Sequence, residues 1–212
     1  CSSGFGLDAA KTLASKGHHV YATMRAVDDR NADKAQELRD FGAVEGVSLS
    51  VHEMDVTSDD SVASAVAEMD RVDVLINNAG YGYGGPVESF EGDEILAQLD
   101  LNIVGTARVA NAVLPGMRSR GDGLIIQVSS TAGRAAFPGF GVYHASKWGL
   151  EGMSEAMRYE LAPLGIEVVI VEPGPFETSF LENVNQGSRQ PVMSDYEHVG
   201  EFLSGFQGTV AE

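Results

Sequence analysis

Tyr143-His144-Ala145-Ser146-Lys147 sets a tyrosine four residues ahead of a lysine, which places a phenol and an ammonium on one helix face. A free tyrosine titrates near a pKa of about 10, and a cation within a few ångströms favours the phenolate. The expectation is a phenol that exchanges protons near neutral pH. Thirteen residues upstream, Ser130 closes the apolar run Leu124-Ile125-Ile126-Gln127-Val128 and Ser129. A buried strand that ends in serines delivers a hydroxyl to the carboxyl edge of a sheet, where open α/β folds bind ligands. Taken alone, Ser130 reads equally as a cap or turn residue.

Two more apolar runs end in unusual loops. Val72-Asp73-Val74-Leu75-Ile76 leads into Asn77-Asn78-Ala79-Gly80, whose small and amide-bearing residues suit close approach of a flat ligand. Ile166 to Val171 leads into Glu172-Pro173-Gly174-Pro175-Phe176-Glu177-Thr178. The three strand ends are expected on one edge of a parallel sheet.

These motifs, in this order, resemble the short-chain dehydrogenase/reductase family, within the subgroup of hydroxysteroid and retinol dehydrogenases. The resemblance rests on Ser2-Ser3-Gly4-Phe5-Gly6, Asp55-Val56, Asn77 to Gly80, Asn102, Ser130, Tyr143 with Lys147, and Pro173-Gly174 with Thr178. It implies a three-layer, doubly wound parallel sheet of Rossmann type, a single NADP-binding oxidoreductase domain over residues 1–212, and a catalytic set of Asn102, Ser130, Tyr143 and Lys147. The family's phosphate-binding turn follows a central first strand, and this sequence begins inside that turn. The first strand is therefore expected to be missing, its two neighbours unpartnered on one side, and the sequence incomplete at both ends.

The resemblance also distributes a cofactor along the chain. Glycines at a helix amino terminus let a pyrophosphate approach the free N–H groups, which fits Ser3, Gly4, Phe5 and Gly6. Ala22-Thr23-Met24-Arg25 carries no acid where the ribose hydroxyl would be read, so Arg25 is expected to pair with the extra phosphate of NADP. A solvated arginine with use of NAD is the other reading, and Asp28 and Asp29 weaken a phosphate site. Asp55 and Val56 are implied at the adenine and Asn78, Ala79 and Gly80 at the adenosine half. Pro173, Gly174, Phe176 and Thr178 are implied at the nicotinamide. Asp55 reads equally as a cap of the next turn, and Thr178 as the start of a helix.

By the same resemblance, Ser130 holds a developing alkoxide, Tyr143 donates the proton, and Lys147 lowers the tyrosine pKa and bonds the cofactor ribose. Asn102 would anchor a water beside Lys147. Tyr81, Tyr83, Phe137, Phe140, Phe180 and Leu181 fall in the segments that line the family's substrate pockets. They imply a hydrophobic carbonyl or secondary alcohol of small to medium size. A catalytically silent NADP-binding sensor or scaffold, or an inactive fragment, is the alternative; it has no need of all four catalytic residues. Nucleotide-sugar epimerases and dehydratases share Tyr-x-x-x-Lys but need a larger carboxyl-terminal domain.

Composition narrows the field. The chain has 212 residues, 43% of them hydrophobic, enough to bury the core of one domain. Apolar runs break after five or six residues, too short to span a bilayer. A single cysteine forbids an internal disulfide and fits a cytoplasmic protein. A net charge of −17, from 31 acidic and 14 basic residues, argues against nucleic acid as a partner. With few lysines among the cations, it raises adaptation to high salt. No metal-ligand spacing is found. The resemblance implies a homodimer or homotetramer through the helices around Asn102 and Lys147.

The coarse pattern alternates helix and strand. Helices are expected over 5–16, 31–41, 58–69 behind Ser58 as cap, 94–117 as one long and bent helix, and from Tyr143 to Leu161. Strands are expected over 20–23, 48–54, 72–76, 124–128 and 166–171.

Overall fold

A computed structural model describes residues 1–174, 176, 180, 183–189 and 194–210. The described chain falls into two compact units, Cys1–Arg71 and Val72–Glu212.

In the first unit, α1 (Gly4–Ser15), β1 (Val20–Met24), α2 (Ala32–Glu45), β2 (Leu49–Glu53) and α3 (Asp59–Ala67) alternate as expected. β1 and β2 pair in parallel with Val20 opposite Leu49 and Met24 opposite Glu53. Ala10, Ala22, Met24, Val27, Ala35 and Leu38 form the core between this ribbon and helices α1 and α2. Ser58 caps α3, its hydroxyl accepting the Ser61 N–H at 3.3 Å, and Asp59 and Asp60 lie in the first turn, where the helix dipole favours acids.

The second unit holds β3 (Val74–Asn77), β4 (Tyr83–Gly84), α4 (Gly92–Leu99), α5 (Gly105–Arg120), β5 (Gly123–Val128), α6 (Gly141–Leu161), β6 (Ile166–Val171), β7 (Asn185–Gln186) and α7 (Glu197–Val210). Its main sheet is parallel in the order β3-β5-β6, with Ile76 opposite Ile126 and Ile126 opposite Val169. The sheet continues as backbone pairing past the strands, from Ser129 N–H to the Val171 carbonyl at 2.8 Å and from Thr131 N–H to the Pro173 carbonyl at 3.0 Å. That holds the two loops after β5 and β6 together. Among the described residues β1 pairs only with β2 and β3 only with β5, so each keeps one unpaired edge.

Two features depart from the sequence pattern or explain it. The helix expected over 94–117 is divided: α4 ends at Leu99, a π-helical stretch spans Asp100–Val104, and α5 follows. Such a stretch widens the helix by one residue per turn and re-aims side chains, and it falls on Asn102. Gly165, at φ 75°, turns the chain into β6; a Cβ there would stand 2.1 Å from the Gly121 carbonyl oxygen, so only glycine fits. The short β4–β7 pair and α7 have no counterpart in the sequence expectations.

Candidate active site

Ser130, Tyr143, Lys147 and Asn102 come together in the second unit. β5 delivers Ser130 in extended conformation to the turn Thr131–Gly133, whose Ala132 N–H it accepts at 3.1 Å. The cap expected of an isolated serine is thus present, and the same hydroxyl stands close enough to the Tyr143 phenol to favour its ionised form. Tyr143 lies in the first turn of α6, buried with Ala132 and Phe140. Lys147, one turn on, is buried as well and donates from Nζ to the Val128 carbonyl at 2.9 Å.

The electrostatics correct one expectation. Burial raises the Tyr143 pKa above its ordinary value, with the nearby Ser130 hydroxyl pulling the other way. Lys147 does not offset that rise, because its Nζ is committed to the Val128 carbonyl and lies 5.8 Å from the centre of the tyrosine ring. Burial instead acts on the lysine, lowering its pKa to about 8, and the charge of Glu151 opposes that shift. In the protein alone, then, the phenol is a neutral donor.

Asn102 is held in the π-helical stretch with its side chain fully engaged. Its Nδ2 donates to the Tyr81 carbonyl at 3.1 Å and to Ser146 Oγ at 2.9 Å, and its Oδ1 accepts the Tyr81 N–H at 3.4 Å. Ser146 passes its own hydroxyl proton to the Tyr143 carbonyl at 2.7 Å. Asn102 thereby ties the loop after β3 to the first turn of α6. A Cβ at Gly80 would lie 3.3 Å from Asn102 Oδ1 and 3.8 Å from Lys147 Nζ, so the glycine leaves an open approach to both. Asn78 is half-buried, and Ala79 and Gly80 are exposed beside it.

The aromatic residues gather around the phenol. The Tyr143 ring stands 5.2 Å from Phe180 and 6.2 Å from Phe140, which stands 5.7 Å from Phe137. Tyr81 contacts Tyr83 at 5.5 Å, and Tyr83 contacts Phe90 at 5.2 Å. Gln98 fixes that segment, accepting the Tyr83 N–H at 2.8 Å and donating to the Tyr81 carbonyl at 2.7 Å. Leu181 and Thr178 lie outside the described residues. Pro173 and Gly174 are half-buried at the end of β6, and Phe176 is exposed.

His144 was not singled out by the sequence, yet it is the residue that fixes the loop after Ser130. The Phe137 N–H donates to its Nε2 at 3.0 Å, which leaves the proton on Nδ1 to bond the Ala132 carbonyl at 2.8 Å. Phe137 also packs edge-on against the imidazole at 4.4 Å. Only its place beside Tyr143 hinted at such a role.

In the first unit, Ser3 and Phe5 are exposed and Gly6 is buried at the start of α1, where Gly4 adopts φ 52°. Ser3 makes no side-chain cap and no acid occupies the first turn, so the helix N-terminus is open to an anion. Arg25 Nη1 lies 4.0 Å from Asp55 Oδ2. Asp55 also caps its own turn, its Oδ1 accepting the Thr57 N–H at 2.9 Å and hydroxyl at 2.7 Å. Burial pushes the Asp55 carboxyl up, but the Thr57 bonds and the charges of Arg25 and Arg30 outweigh it and hold its pKa below the ordinary value. Arg30 is a second cation at this position that the sequence reading passed over, although it stands in the same loop. Val56 is buried behind Asp55.

Residues 1–189 match the short chain dehydrogenase family. The chain belongs to that family. Within it, an uncharacterized oxidoreductase of Bacillus subtilis is 42% identical over 183 residues, covering 84% of this chain and 63% of that protein. The 17-beta-hydroxysteroid dehydrogenase type 1 of Homo sapiens is 39% identical over 198 residues, covering 91% of this chain and 60% of that protein. Among solved members, a gluconate 5-dehydrogenase from Burkholderia cenocepacia in complex with NADP and tartrate superposes with a TM-score of 0.76 at 32% identity. That match covers 84% of this chain and 70% of that one. The family fold is thus α/β of Rossmann type, as the motifs implied. The chain spans somewhat under two thirds of the length of these two curated relatives.

Proposed function

We propose that this chain is the catalytic part of an oxidoreductase that moves a hydride between NADP(H) and a carbonyl or secondary alcohol of small to medium, hydrophobic substrates. The observation that carries the reading is a buried Tyr143 phenol under the influence of the Ser130 hydroxyl, one helical turn from a buried Lys147 and ringed by aromatic side chains.

Each unit carries residues that fit part of a dinucleotide. The uncapped N-terminus of α1, with Gly4 and Gly6, suits a pyrophosphate, and Arg25 with Arg30 suits a ribose phosphate. Asp55 and Val56 would meet the adenine. Asn78, Ala79 and the open face of Gly80 would meet the adenosine half, and Pro173, Gly174, Phe176 and Thr178 the nicotinamide. Among the described residues, nothing lies within 4 Å of a Cβ built at Gly174, which suits a flat ring. The bound nicotinamide supplies the hydride. NAD is the cofactor to be displaced as a reading, since Arg25 and Arg30 have no role toward it.

The chain supplies the rest. Ser130 donates its hydroxyl proton toward the substrate oxygen and stabilises negative charge there. Tyr143 gives that oxygen its phenolic proton in reduction and takes it back in oxidation. Lys147, as an ammonium, stabilises the phenolate that reduction leaves on Tyr143. Asn102 keeps the Tyr81 loop and the α6 first turn in register, and the aromatic wall excludes water from the reacting oxygen.

No helix among the described residues is long and apolar enough to cross a membrane, and a cytoplasmic location remains the reading of the single cysteine. Exposed Val104 and Trp148, on the helices flanking Asn102 and Lys147, support assembly as a homodimer or homotetramer. The test is NADPH oxidation across a panel of hydrophobic ketones and aldehydes, with NADH in parallel. Turnover that prefers NADPH and disappears in Tyr143→Phe is expected. Turnover undiminished in Tyr143→Phe, or none with any carbonyl, overturns the reading.

A further inference from the structure

Glu151 is a buried carboxylate that the proposed reaction leaves unused. It stands one turn beyond Lys147 on α6, 5% exposed, and neither carboxylate oxygen has a hydrogen-bond partner. Gln127 and Ser129, on the same face of the β5 chain, are buried with side chains equally unpartnered. The Gly133 backbone closes over this group: a Cβ there would stand 2.9 Å from Glu151 Cγ and 2.9 Å from Ser129 Oγ. On the outer side, Glu151 lines a cavity of about 320 Å³ with Arg134, Trp148 and Glu155.

Taking a carboxylate out of water without a partner costs several kcal/mol, so a buried charge persists where an opposite charge compensates it. The surrounding charges leave one such partner. Arg134, the cation of the same cavity, is engaged by Glu172 at 3.3 Å and Glu155 at 3.9 Å. Arg108, on α5, is engaged by Asp100 at 3.4 Å. On α6 itself Tyr143 is a neutral phenol and His144 has both ring nitrogens bonded to the backbone. From β5, Lys147 meets the Val128 carbonyl, and from the loop after β3 Gly80 approaches it, beside Asn102 of the π-helical stretch; neither carries a charge. Residues four apart share a helix face, which puts the Glu151 carboxylate on the side of α6 that carries the ammonium.

We propose that Glu151 is the counter-charge of Lys147, a positioning residue that keeps the catalytic lysine an ammonium inside the protein. Burial takes Lys147 to about 8, and Glu151 is the charge acting against it. Without that charge, the lysine would lose its proton within the working range of the enzyme, and the phenolate left on Tyr143 would lose its stabilising cation.

The inference rests on the proposed reaction only for its consequence, so its test begins with a measurement that needs no turnover. The Lys147 side chain is titrated by NMR in 15N-lysine-labelled protein, its signal assigned with Lys147→Arg. In Glu151→Gln the midpoint is expected to fall by about one pH unit or more, and Glu151→Asp is expected to restore most of it. The basic limb of the kcat profile should fall by the same amount. Glu155→Gln, in the same cavity but already paired to Arg134, should move neither. An unmoved Lys147 midpoint in Glu151→Gln overturns the inference. A midpoint that moves in a protein without NADPH-dependent turnover overturns the proposed reaction and upholds the charge pairing. Where Glu151→Gln does not fold, thermal unfolding decides. Lys147→Met strands the carboxylate, so the Lys147→Met/Glu151→Gln pair is expected to melt above Lys147→Met alone. An equal or lower melting temperature overturns the pairing.

Discussion

The stretch from Ser130 to Glu151 and the loop from Arg25 to Asn31 both carry groups suited to a nicotinamide cofactor, and they are built in opposite ways. In the first, Tyr143, His144, Lys147 and Glu151 are all buried, and the polar atoms of His144 and Lys147 meet backbone carbonyls and an N–H group. In the second, Arg25 is nearly half-exposed and reaches Asp55 only at 4.0 Å. Burial is what makes a proton transfer site, because desolvation sets how tightly each group holds its proton. Exposure is what makes a selectivity site, since two exposed guanidinium groups can take up or release a phosphate at little structural cost. Substitutions should therefore act strongly and on chemistry in the first region, weakly and on affinity in the second.

Tyr143→Phe is the sharpest way to break that contrast. It removes the group that transfers a proton to the substrate oxygen, and turnover should fall by about 10²- to 10⁴-fold or more. NADPH affinity, read by nicotinamide fluorescence, should stay nearly unchanged. A variant that loses both equally would mean that the buried region serves binding and not chemistry.

His144→Ala comes next. It strands the part-buried Phe137 N–H and the buried Ala132 carbonyl, and an unmet bond at a fully buried group costs about 1–3 kcal/mol. The loop carrying Ser130 and Phe137 should loosen, and kcat should fall together with a rise in KM for hydrophobic substrates. His144→Gln can accept from one partner and donate to the other, so it should recover much of both constants. If Gln is no better than Ala, the imidazole matters for packing and not for its two bonds.

Much of this architecture was readable because strong periodic signals decided it. Val20 to Met24, Ile166 to Val171 and the capped helix behind Ser58 lie within a residue or two of the expected bounds. Ser130, Tyr143 and Lys147 were legible as a group because spacing on a strand end and a helix face constrains them. The π-helical stretch at Asp100–Val104 was not, since one inserted residue leaves the apolar period nearly intact and only Asn102 marks it. Glu151 reads in sequence as an ordinary solvated helix residue; its burial comes from Gly133 and the β5 chain, which lie far from it in sequence. The inverted electrostatics of Tyr143 were hidden for the same reason. Four-residue spacing brings a cation near a phenol, but desolvation by Phe140, Phe180 and Ala132 outweighs it.

Burial of Lys147 also gives the unfolding curve a pH signature. Its pKa falls from 10.5 to about 8 in the folded protein. Between those values the unfolded chain binds the proton that the folded one has lost, so this residue makes stability rise with pH across that window. The difference in melting temperature between the wild type and Lys147→Met should therefore shift in favour of the wild type from pH 8 to pH 10. A difference that is flat across the window would mean that Lys147 is solvated. The buried region would then differ from the Arg25 loop in sequence alone.

The smallest effects belong to that loop, and salt is the variable that separates it from the buried site. Arg25 and Arg30 both act on Asp55, which is half-exposed, and ions in solution screen such contacts. Arg25→Ala should weaken NADPH binding by about tenfold or less at low salt, as loss of one exposed charge-assisted contact to a phosphate implies. NADH binding should hardly change. Raising the salt should erase the difference between wild type and Arg25→Ala, whereas it should leave the defect of Tyr143→Phe untouched, because a buried proton donor is not screened. Arg30→Ala should reproduce the NADPH loss in part, and the double variant should lose the preference for NADPH altogether. Retained preference in the double variant would place phosphate recognition elsewhere and confine the Arg25–Asp55 contact to holding the loop after β1 against the end of β2.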